Sequence, residues 1–217
     1  GSGSGSGISN DTQIDDITVA SDGTRVAVAW TAFDAQSGTR QVHLKEYDSA
    51  WSGLEGSDTG TGVSGTLAGS IDGALTWNAQ PSLAYFNGSL FVAWQAFSDQ
   101  GSAVAVMRYT STGTPVLAHL LDASDQVSMP TLASGGGSLH LAWTRTSLSG
   151  GPASLFARVW NGTAFVEEVA GDATGSGISL TGGQAQRLSM TVDAAGRPTI
   201  AWQDASTGNP EIYVRAN

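Results

Sequence analysis

The sequence predicts an all-β fold, a β-propeller built from four-stranded antiparallel blades. An apolar run that ends in Ala-Trp occurs four times and closes on Trp30, Trp94, Trp143 and Trp202. The spacings between these Trp residues are 64, 49 and 59 positions, a little above the roughly 40–50 residues of known propeller repeats. The chain also has 29 Gly against 6 Pro, and only 13% of its residues are charged. This composition favours many tight turns over long charged helices.

Each unit begins with a predicted hairpin. In the first unit, Ile17 to Ala20 is a short alternating strand, Asp22-Gly23 is the turn, and Arg25 to Trp30 is the second strand. Asp-Gly or Asn-Gly between two apolar runs is a strong hairpin signal, because such turns need residues that accept positive φ. The same hairpin is predicted in the other units at Asn87-Gly88, Ser134 to Gly137 and Ala195-Gly196.

A third and a fourth strand complete each predicted blade. The third strand carries a basic residue, which is Lys45, Arg108, Arg158 or Arg215 in the successive units. The fourth strand opens on Trp51, Val116 or Phe165, and the last unit has no such strand. Since an open edge is a template for strand pairing, two alternatives follow for Ile212 to Arg215. The next residues of a longer array complete the blade there, or the edge is a homo-oligomer contact with another copy of the chain.

The predicted domain organisation is simple. Residues 1–6 are a Gly/Ser linker or tag remnant, and 7–217 form a single propeller domain with repeats at about 7–62, 63–121, 122–170 and 171–217. Gly7-Ile8-Ser9 recurs as Gly177-Ile178-Ser179, so this element belongs to the repeat. A single all-β domain of this length is common.

Composition excludes several partners and sites. The formal charge of −10 and the pI near 4.4 make nucleic acid and anionic membrane surfaces poor partners. The absence of cysteine excludes disulfides and thiolate metal sites. No stretch approaches the roughly 20 apolar residues of a membrane span, so membrane insertion is not expected. No signal peptide is recognisable at the start of the sequence.

The fourth unit carries a family resemblance. Gly196 to Asp204, continued by Thr207 to Arg215, resembles a tandem repeat of large bacterial extracellular proteins whose units look like sialidase-type β-propeller blades. Ser70 to Trp77 looks like the Asp-box turn of those propellers, with its Gly one place early. The resemblance implies a propeller fold and an extracellular or cell-surface location. It implies no particular activity.

The sequence predicts no catalytic residues. A sialidase-like site needs converging Arg side chains and a Tyr with a Glu partner, and no Tyr has an obvious Glu partner nearby in sequence. His43, His119 and His140 lack short metal-ligand spacing. No cofactor is expected, with calcium as the one open alternative, because Asp side chains in Gly-rich loops offer hard oxygen ligands. Asp122 and Asp125 are the candidate pair, and solvated turn residues are the simpler interpretation.

A ligand site is predicted from aromatic and polar residues outside the repeated Ala-Trp position. A sugar offers apolar ring faces to aromatic side chains and hydroxyl groups to polar ones. The aromatic candidates are Trp77, Trp51 and Trp160. Trp51 and Trp160 share their strand steps with apolar or aromatic residues of other units, so packing is the simpler interpretation for both. Trp77 is placed in a connector between blades. The polar candidates follow the second strands and are Gln95, Arg145, Gln203 and Asp204.

Two classes of function follow from these patterns. The first is a non-enzymatic extracellular binding module that recognises a glycan or a protein surface through propeller loops. The alternative is a structural or self-assembling repeat scaffold. A sialidase-like glycoside hydrolase is the third hypothesis, and the expectation from sequence is that the chain is not an enzyme.

Overall fold

The computed structural model describes residues 7–11, 13–35, 37–67, 75–99, 101–121, 125–147, 149–180 and 184–216. These residues form four antiparallel sheets and one short 3₁₀ helix, Ser64–Leu67. Sheet 1 contains β1 (Ile14–Ser21), β2 (Val26–Asp34), β3 (Thr39–Asp48) and β4 (Ala50–Ser52), and sheet 2 contains β5 (Leu75–Phe86), β6 (Ser89–Ser98), β7 (Gly101–Tyr109) and β8 (Pro115–Leu121). Sheet 3 contains β9 (Gln126–Gly135), β10 (Ser138–Thr146), β11 (Ser154–Trp160) and β12 (Phe165–Val166), and sheet 4 contains β13 (Gln186–Val192), β14 (Pro198–Asp204) and β15 (Glu211–Ala216).

Each sheet is an up-and-down meander whose strands pair in sequence order. The predicted all-β propeller fold is therefore confirmed. Within the part of the chain that the structure describes, sheet 4 has three strands, so the predicted lack of an outer strand in the last blade is confirmed as well. No helix among the described residues has the length and apolar character that crossing a bilayer requires.

The hydrophobic core lies between successive sheets. Trp94 of sheet 2 is fully buried against Ala29, Val42 and Leu44 of sheet 1. Its indole Nε1 donates a hydrogen bond to Asn78 Oδ1 at 3.0 Å. Trp143 and Trp202 occupy the same position in sheets 3 and 4 and pack in the two following cores. One four-stranded sheet cannot bury both of its faces alone, so the Ala-Trp strands of sheets 2 to 4 depend on the preceding sheet.

The first hairpins take two forms. Asn87 and Gly88 form a two-residue turn in which both residues have positive φ, at 47° and 75°, as the Asn-Gly sequence predicts. The Asp22-Gly23 turn differs from the expected two-residue form because only Gly23 has positive φ. Its loop is held instead by the Asp22 carboxylate, which accepts hydrogen bonds from the backbone N–H groups of Thr24 and Arg25.

The basic residues of the third strands do not all occupy one structural position. Lys45 lies opposite Val28, Arg158 opposite Leu141, and Arg215 opposite Ile200. In sheet 2 the equivalent residue is Met107, opposite Val92, and Arg108 lies one place further along. Because neighbouring residues of a strand project to opposite faces, Arg108 faces sheet 3, where its guanidinium lies 6.0 Å from the Trp160 ring.

The connectors after sheets 1 and 3 cover the outer edges of their third strands. The Val63 N–H donates to Val42 O at 2.8 Å, and the Val42 N–H donates to Ser64 Oγ at 3.0 Å. After sheet 3, Ile178 bonds to Leu155 O at 2.7 Å and Ser179 Oγ accepts from the Leu155 N–H at 3.2 Å. Gly62-Val63-Ser64 is thus a further copy of the Gly-Ile-Ser element, which sequence comparison missed because its central residue is Val. The element replaces most of a fourth strand where β4 and β12 are short.

Candidate functional site

The first strands of the four sheets line the axis of the propeller, since β5 packs against both β1 and β9, and β9 also packs against β13. Each of these strands contains one non-glycine residue with left-handed backbone. These residues are Asp16, Gln80, Met129 and Arg187, with φ values of 43°, 54°, 54° and 52°. Positive φ is uncommon outside glycine and often marks functional positions. Its recurrence at one step of all four strands shows that the architecture requires a bulge there.

The axial bulges are joined by hydrogen bonds between sheets. The Gln80 N–H donates to Asp16 Oδ2 at 3.0 Å, and the Met129 N–H donates to Gln80 Oε1 at 2.7 Å. Further along the same strands, the Leu132 N–H donates to Ser82 Oγ at 2.9 Å. The side chain of one bulge residue therefore accepts a hydrogen bond from the backbone N–H of the next bulge residue. This contact holds the Asp16 carboxylate at the axis.

An open cleft of about 260 Å³ lies at these bulges. Its wall combines one carboxylate with small polar and apolar groups from three first strands. The lining residues are Asp16, Ile17, Gln80, Pro81, Ser82, Met129, Pro130 and Thr131. Asp16 supplies the charge in this wall. A concave site with a few fixed polar groups is the usual form of a small-molecule site.

A second cluster lies beside the cleft, between sheets 1 and 2. Arg40 forms an ion pair with Asp15, the residue preceding Asp16. The Arg40 guanidinium also lies 4.9 Å from the centroid of the Trp77 ring, and Trp77 is 44% exposed. Asn78 Nδ2 donates to Arg40 O at 3.0 Å, which ties this strand of sheet 1 to sheet 2. Arg40 therefore joins the Asp15 carboxylate to an exposed indole, and Asp15 directly precedes Asp16 in the chain.

Sequence analysis placed Trp77 in a connector, and that placement is wrong. Trp77 lies on β5, three residues before the Gln80 bulge, and pairs with Phe97 of β6. The bulge interrupts the apolar alternation, so the start of the strand is not visible in the sequence pattern. The residues Ser70 to Ala74, most of the stretch that resembles an Asp-box turn, lie outside the described residues.

The polar candidates at the ends of the second strands have structural partners. Gln95 is buried, and its Nε2 donates to Val127 O of sheet 3. Asp204 is fully buried and accepts a 2.7 Å hydrogen bond from the Ser206 N–H, which shapes the loop after β14. Gln203 is half-buried and lies opposite Ile212 in the sheet 4 ladder. None of these three residues lines the axial cleft.

The two other aromatic candidates pack against neighbouring rings. The Trp51 ring centroid lies 5.4 Å from that of Tyr47, at the outer edge of sheet 1. Trp160 lies between sheets 2 and 3, at 5.3 Å from Phe91 and 5.2 Å from Phe165. Both are half-buried. Trp51 lies on the outermost strand of sheet 1 and Trp160 on the third strand of sheet 3, whereas Trp77 lies on an innermost strand.

The proposed calcium ligands lie apart from the cleft. Asp125 pairs with Arg145, with 3.4 Å between its Oδ2 and the arginine Nε. Arg145 in turn covers the Phe156 ring at 4.2 Å. Asp122 lies outside the described residues. Among the residues that the structure describes, no cluster of three or more Asp, Glu, His or Cys could hold a metal ion. Calcium binding stays a prediction from sequence.

Sequence reasoning missed Asp15, Asp16, Arg40 and Gln80. One signal was present, because Gln80-Pro81-Ser82 and Met129-Pro130-Thr131 repeat the same pattern, with the bulge residue directly before Pro. The residue before Pro is restricted in conformation, which marks a special backbone position. Asp16 and Arg187 occupy this step without a following Pro, so the pattern is visible in only two units.

A Tyr with a Glu partner does occur, contrary to the expectation from sequence. Tyr85 Oη donates to Glu46 Oε1 at 2.6 Å, across the boundary of sheets 2 and 1, and the Arg25 guanidinium lies 4.8 Å from the Tyr85 ring centroid. Burial and the hydrogen bond to Glu46 raise the pKa of Tyr85 above its ordinary value. An activated phenolate needs the opposite shift, so this group joins two sheets.

The raised pKa of Tyr85 predicts an alkaline effect on stability. The unfolded chain loses the phenol proton near pH 10 while the folded chain keeps it, so the free energy of unfolding falls as the pH rises above about 10. We expect Tyr85→Phe to reduce this fall. Urea midpoints at about pH 8 and pH 11 measure it, and Tyr47→Phe controls for removal of a phenol. A fall as steep in Tyr85→Phe as in the original protein contradicts the prediction.

Comparison with known proteins places the fold. No protein-family model and no curated protein sequence matches the chain. An endo-arabinase from Bacteroides thetaiotaomicron VPI-5482 has a similar structure, with a TM-score of 0.53 and 13% identity over 93% of this chain and 74% of that chain. A sucrose-6-phosphate hydrolase from Lactobacillus gasseri gives 0.54, with 11% identity over 92% and 45%. An endo-1,4-beta-xylanase from Bacteroides thetaiotaomicron VPI-5482 gives 0.50, with 10% identity over 93% and 69%.

These likenesses correct two expectations. The similar structures include five-bladed propellers of the arabinanase and xylanase type, so the propeller part of the family resemblance is confirmed while its sialidase type has no support from sequence. The expectation of a non-enzymatic module or scaffold is wrong, because the similar folds are those of glycoside hydrolases. Identities near 10% establish the fold alone, so an activity has to be argued from the site.

Proposed function

We propose that the chain is a carbohydrate-processing enzyme that hydrolyses a glycosidic bond in the axial cleft. The observation that carries the proposal is the position of Asp16, whose carboxylate lies in the cleft wall and is held by the Gln80 N–H.

The chemistry of glycoside hydrolysis usually needs two carboxylates beside the scissile bond. Asp16 supplies one of them at the cleft, where it takes the proton of the attacking water as the glycosidic bond breaks, while solvent water protonates the departing sugar oxygen. Asp15 supplies the second charge, positioned by its ion pair with Arg40, where it stabilises the positive charge that develops on the sugar ring. The Trp77 indole, 44% exposed beside this pair, offers an aromatic face for the apolar side of a sugar.

The substrate class follows from the shape of the site. The cleft is open, which suits an internal segment of a polysaccharide as well as a chain end. Arabinan and xylan are the first substrates to test, because enzymes named for them share the fold. A sialoside belongs in the same panel, since it tests the sialidase-type resemblance. An extracellular or cell-surface location is part of this proposal and agrees with a polymeric substrate.

Asp16→Asn is the decisive variant. We expect the original protein to release reducing sugar from one member of the panel, and Asp16→Asn to lower kcat by at least about 100-fold with unchanged folding. Asn keeps the size of the side chain and removes its charge. Asp48→Asn is the matched control, because Asp48 is an exposed carboxylate at the end of β3. Folded protein without turnover on any member of the panel contradicts the proposal, and so does full activity in Asp16→Asn.

A second copy of the chain as a partner stays a prediction from the sequence, separate from the glycan. Its expected contact, the open edge from Ile212 to Arg215, lies on the outermost strand of sheet 4 and outside the axial cleft. Hydrolysis in the cleft therefore does not depend on it.

A further inference from the structure

The same surface recurs on one face of every sheet. Two third-strand residues on this face pack against the following sheet, and they are Val42 and Leu44 in sheet 1, Val104 and Val106 in sheet 2, and Leu155 and Ala157 in sheet 3. The ladder positions of sheet 4 equivalent to these are Ile212 and Val214. They are 72% and 61% exposed, whereas Val42, Leu44 and Leu155 are completely buried.

The outer edge of β15 is equally incomplete. In sheets 1 and 3 the backbone of Val42 and Leu155 is bonded by the Gly-Val-Ser and Gly-Ile-Ser elements. Ile212 occupies the same step of β15, where the described residues contain neither a fourth strand nor such an element. Sheet 4 therefore has an exposed apolar face and an unpaired edge at the positions where the other sheets contact a neighbour.

Sheet 1 exposes the other of the two faces by which neighbouring sheets pack. Ile17 and Val19 of β1 are 72% and 64% exposed. Lys45 Nζ donates to Ile8 O at 2.7 Å, as Arg215 Nη1 donates to Ile178 O at 3.5 Å. Gly7-Ile8-Ser9 thus holds the position relative to sheet 1 that Gly177-Ile178-Ser179 holds relative to sheet 4. Ile178 is 4% exposed between two sheets, but Ile8 has a sheet on one side only and is half-buried.

The similar propellers indicate that the gap between these two surfaces is the place of one blade. The similar propellers have five blades, and this chain, with four sheets, aligns over 93% of its own length with 74% of one of them.

We infer that the gap between sheets 4 and 1 is a docking site for one further four-stranded β-blade that carries the Ala-Trp repeat. Its Trp packs on Ile212 and Val214, a Gly-Ile-Ser element before it bonds the edge of β15, and its own third strand bonds Gly7-Ile8-Ser9. Every contact repeats one that already joins two sheets of this chain.

The test extends the full chain with a copy of its own residues 161–216, placed after Asn217. This copy contains the short fourth strand β12, the connector with the Gly-Ile-Ser element, and sheet 4. We expect the extended chain to remain monomeric, to unfold in one transition with Tm raised by about 10 °C, and to bind several-fold less of an apolar-surface dye. A Gly/Ser extension of equal length is the control and leaves both quantities unchanged.

A double substitution separates docking from a general effect of the extension. Ile212→Asp with Val214→Asp changes exposed positions in the 217-residue chain, so its Tm stays within about 2 °C of the original. Placed in the original β15 of the extended chain, the same pair abolishes the gain in Tm. An added copy that unfolds separately, with dye binding unchanged, overturns the inference. A dimer of the 217-residue chain that covers Ile212 and Val214 overturns it too.

Discussion

Gly62→Ala is expected to lower the free energy of unfolding by about 2–4 kcal/mol, while Gly60→Ala lowers it by about 1 kcal/mol or less. Both glycines have left-handed backbone, with φ of 58° and 55°, so an alanine meets similar backbone strain at both. They differ in their surroundings. A Cβ at Gly62 collides with Val42 O, whereas a Cβ at Gly60 meets nothing within 4 Å.

The collision at Gly62 matters because Val42 O accepts the Val63 N–H at 2.8 Å. Moving that carbonyl breaks the bond by which the connector covers the edge of β3. Urea unfolding, followed by Trp fluorescence, measures both variants. Gly177→Ala and Gly175→Ala repeat the comparison after sheet 3, where a Cβ at Gly177 collides with Leu155 O and one at Gly175 is unobstructed. Equal costs within each pair would show that backbone strain alone decides, and that the edge contact contributes nothing.

The propeller architecture could be predicted because short sequence patterns that recur in each unit indicate its strands and turns. Ala-Trp at the end of an apolar run marks the central strand of each sheet, and Asn-Gly or Asp-Gly marks the hairpin before it. Both signals depend on residues adjacent in sequence. The basic residue of the third strand was a weaker guide, since Arg108 lies one position from its expected place in the ladder. A shift by one residue reverses the face of a strand, and composition does not reveal it.

The site could not be predicted in the same way because its parts come from different sheets. Asp16 and Gln80 are 64 residues apart and meet through one backbone hydrogen bond. Arg40 reaches both Asp15 and Trp77 from a third-strand position. The axial bulge hides the start of β5, so Trp77 was assigned to a connector. Trp77 was nevertheless singled out, because it is the Trp that the repeat does not account for.

The proposed enzyme class was also beyond the sequence patterns. Asp15 and Asp16 stand in an ordinary acidic stretch at the start of a strand, and nothing local distinguishes them from solvated surface residues. Their significance comes from the convergence of the first strands on the axis. Arg40 also joins Asp15, the chain neighbour of Asp16, to the exposed Trp77 indole.

Trp94→Ala and Trp77→Ala are expected to have opposite consequences, although both residues lie in sheet 2. Trp94 is completely buried and donates to Asn78, so its loss leaves a cavity and an unpaired amide oxygen. We expect Trp94→Ala to cost about 3–5 kcal/mol of unfolding free energy. Trp77 is 44% exposed, so Trp77→Ala costs about 1 kcal/mol or less, but it removes the aromatic face proposed to hold the sugar.

We therefore expect Trp94→Ala to lower the stability of the fold, and Trp77→Ala to lower the catalytic efficiency with little change in stability. Urea midpoints give the first quantity, and kcat/KM on the substrate identified with the original protein gives the second. We expect Trp77→Ala to raise KM by about tenfold, which corresponds to about 1.4 kcal/mol of binding, with the urea midpoint nearly unchanged. Trp77→Phe keeps an aromatic face and should recover part of the affinity. If Trp77→Ala instead unfolds as readily as Trp94→Ala and retains its KM, the exposed indole serves the packing of sheets 1 and 2, and the sugar must be held elsewhere along the cleft.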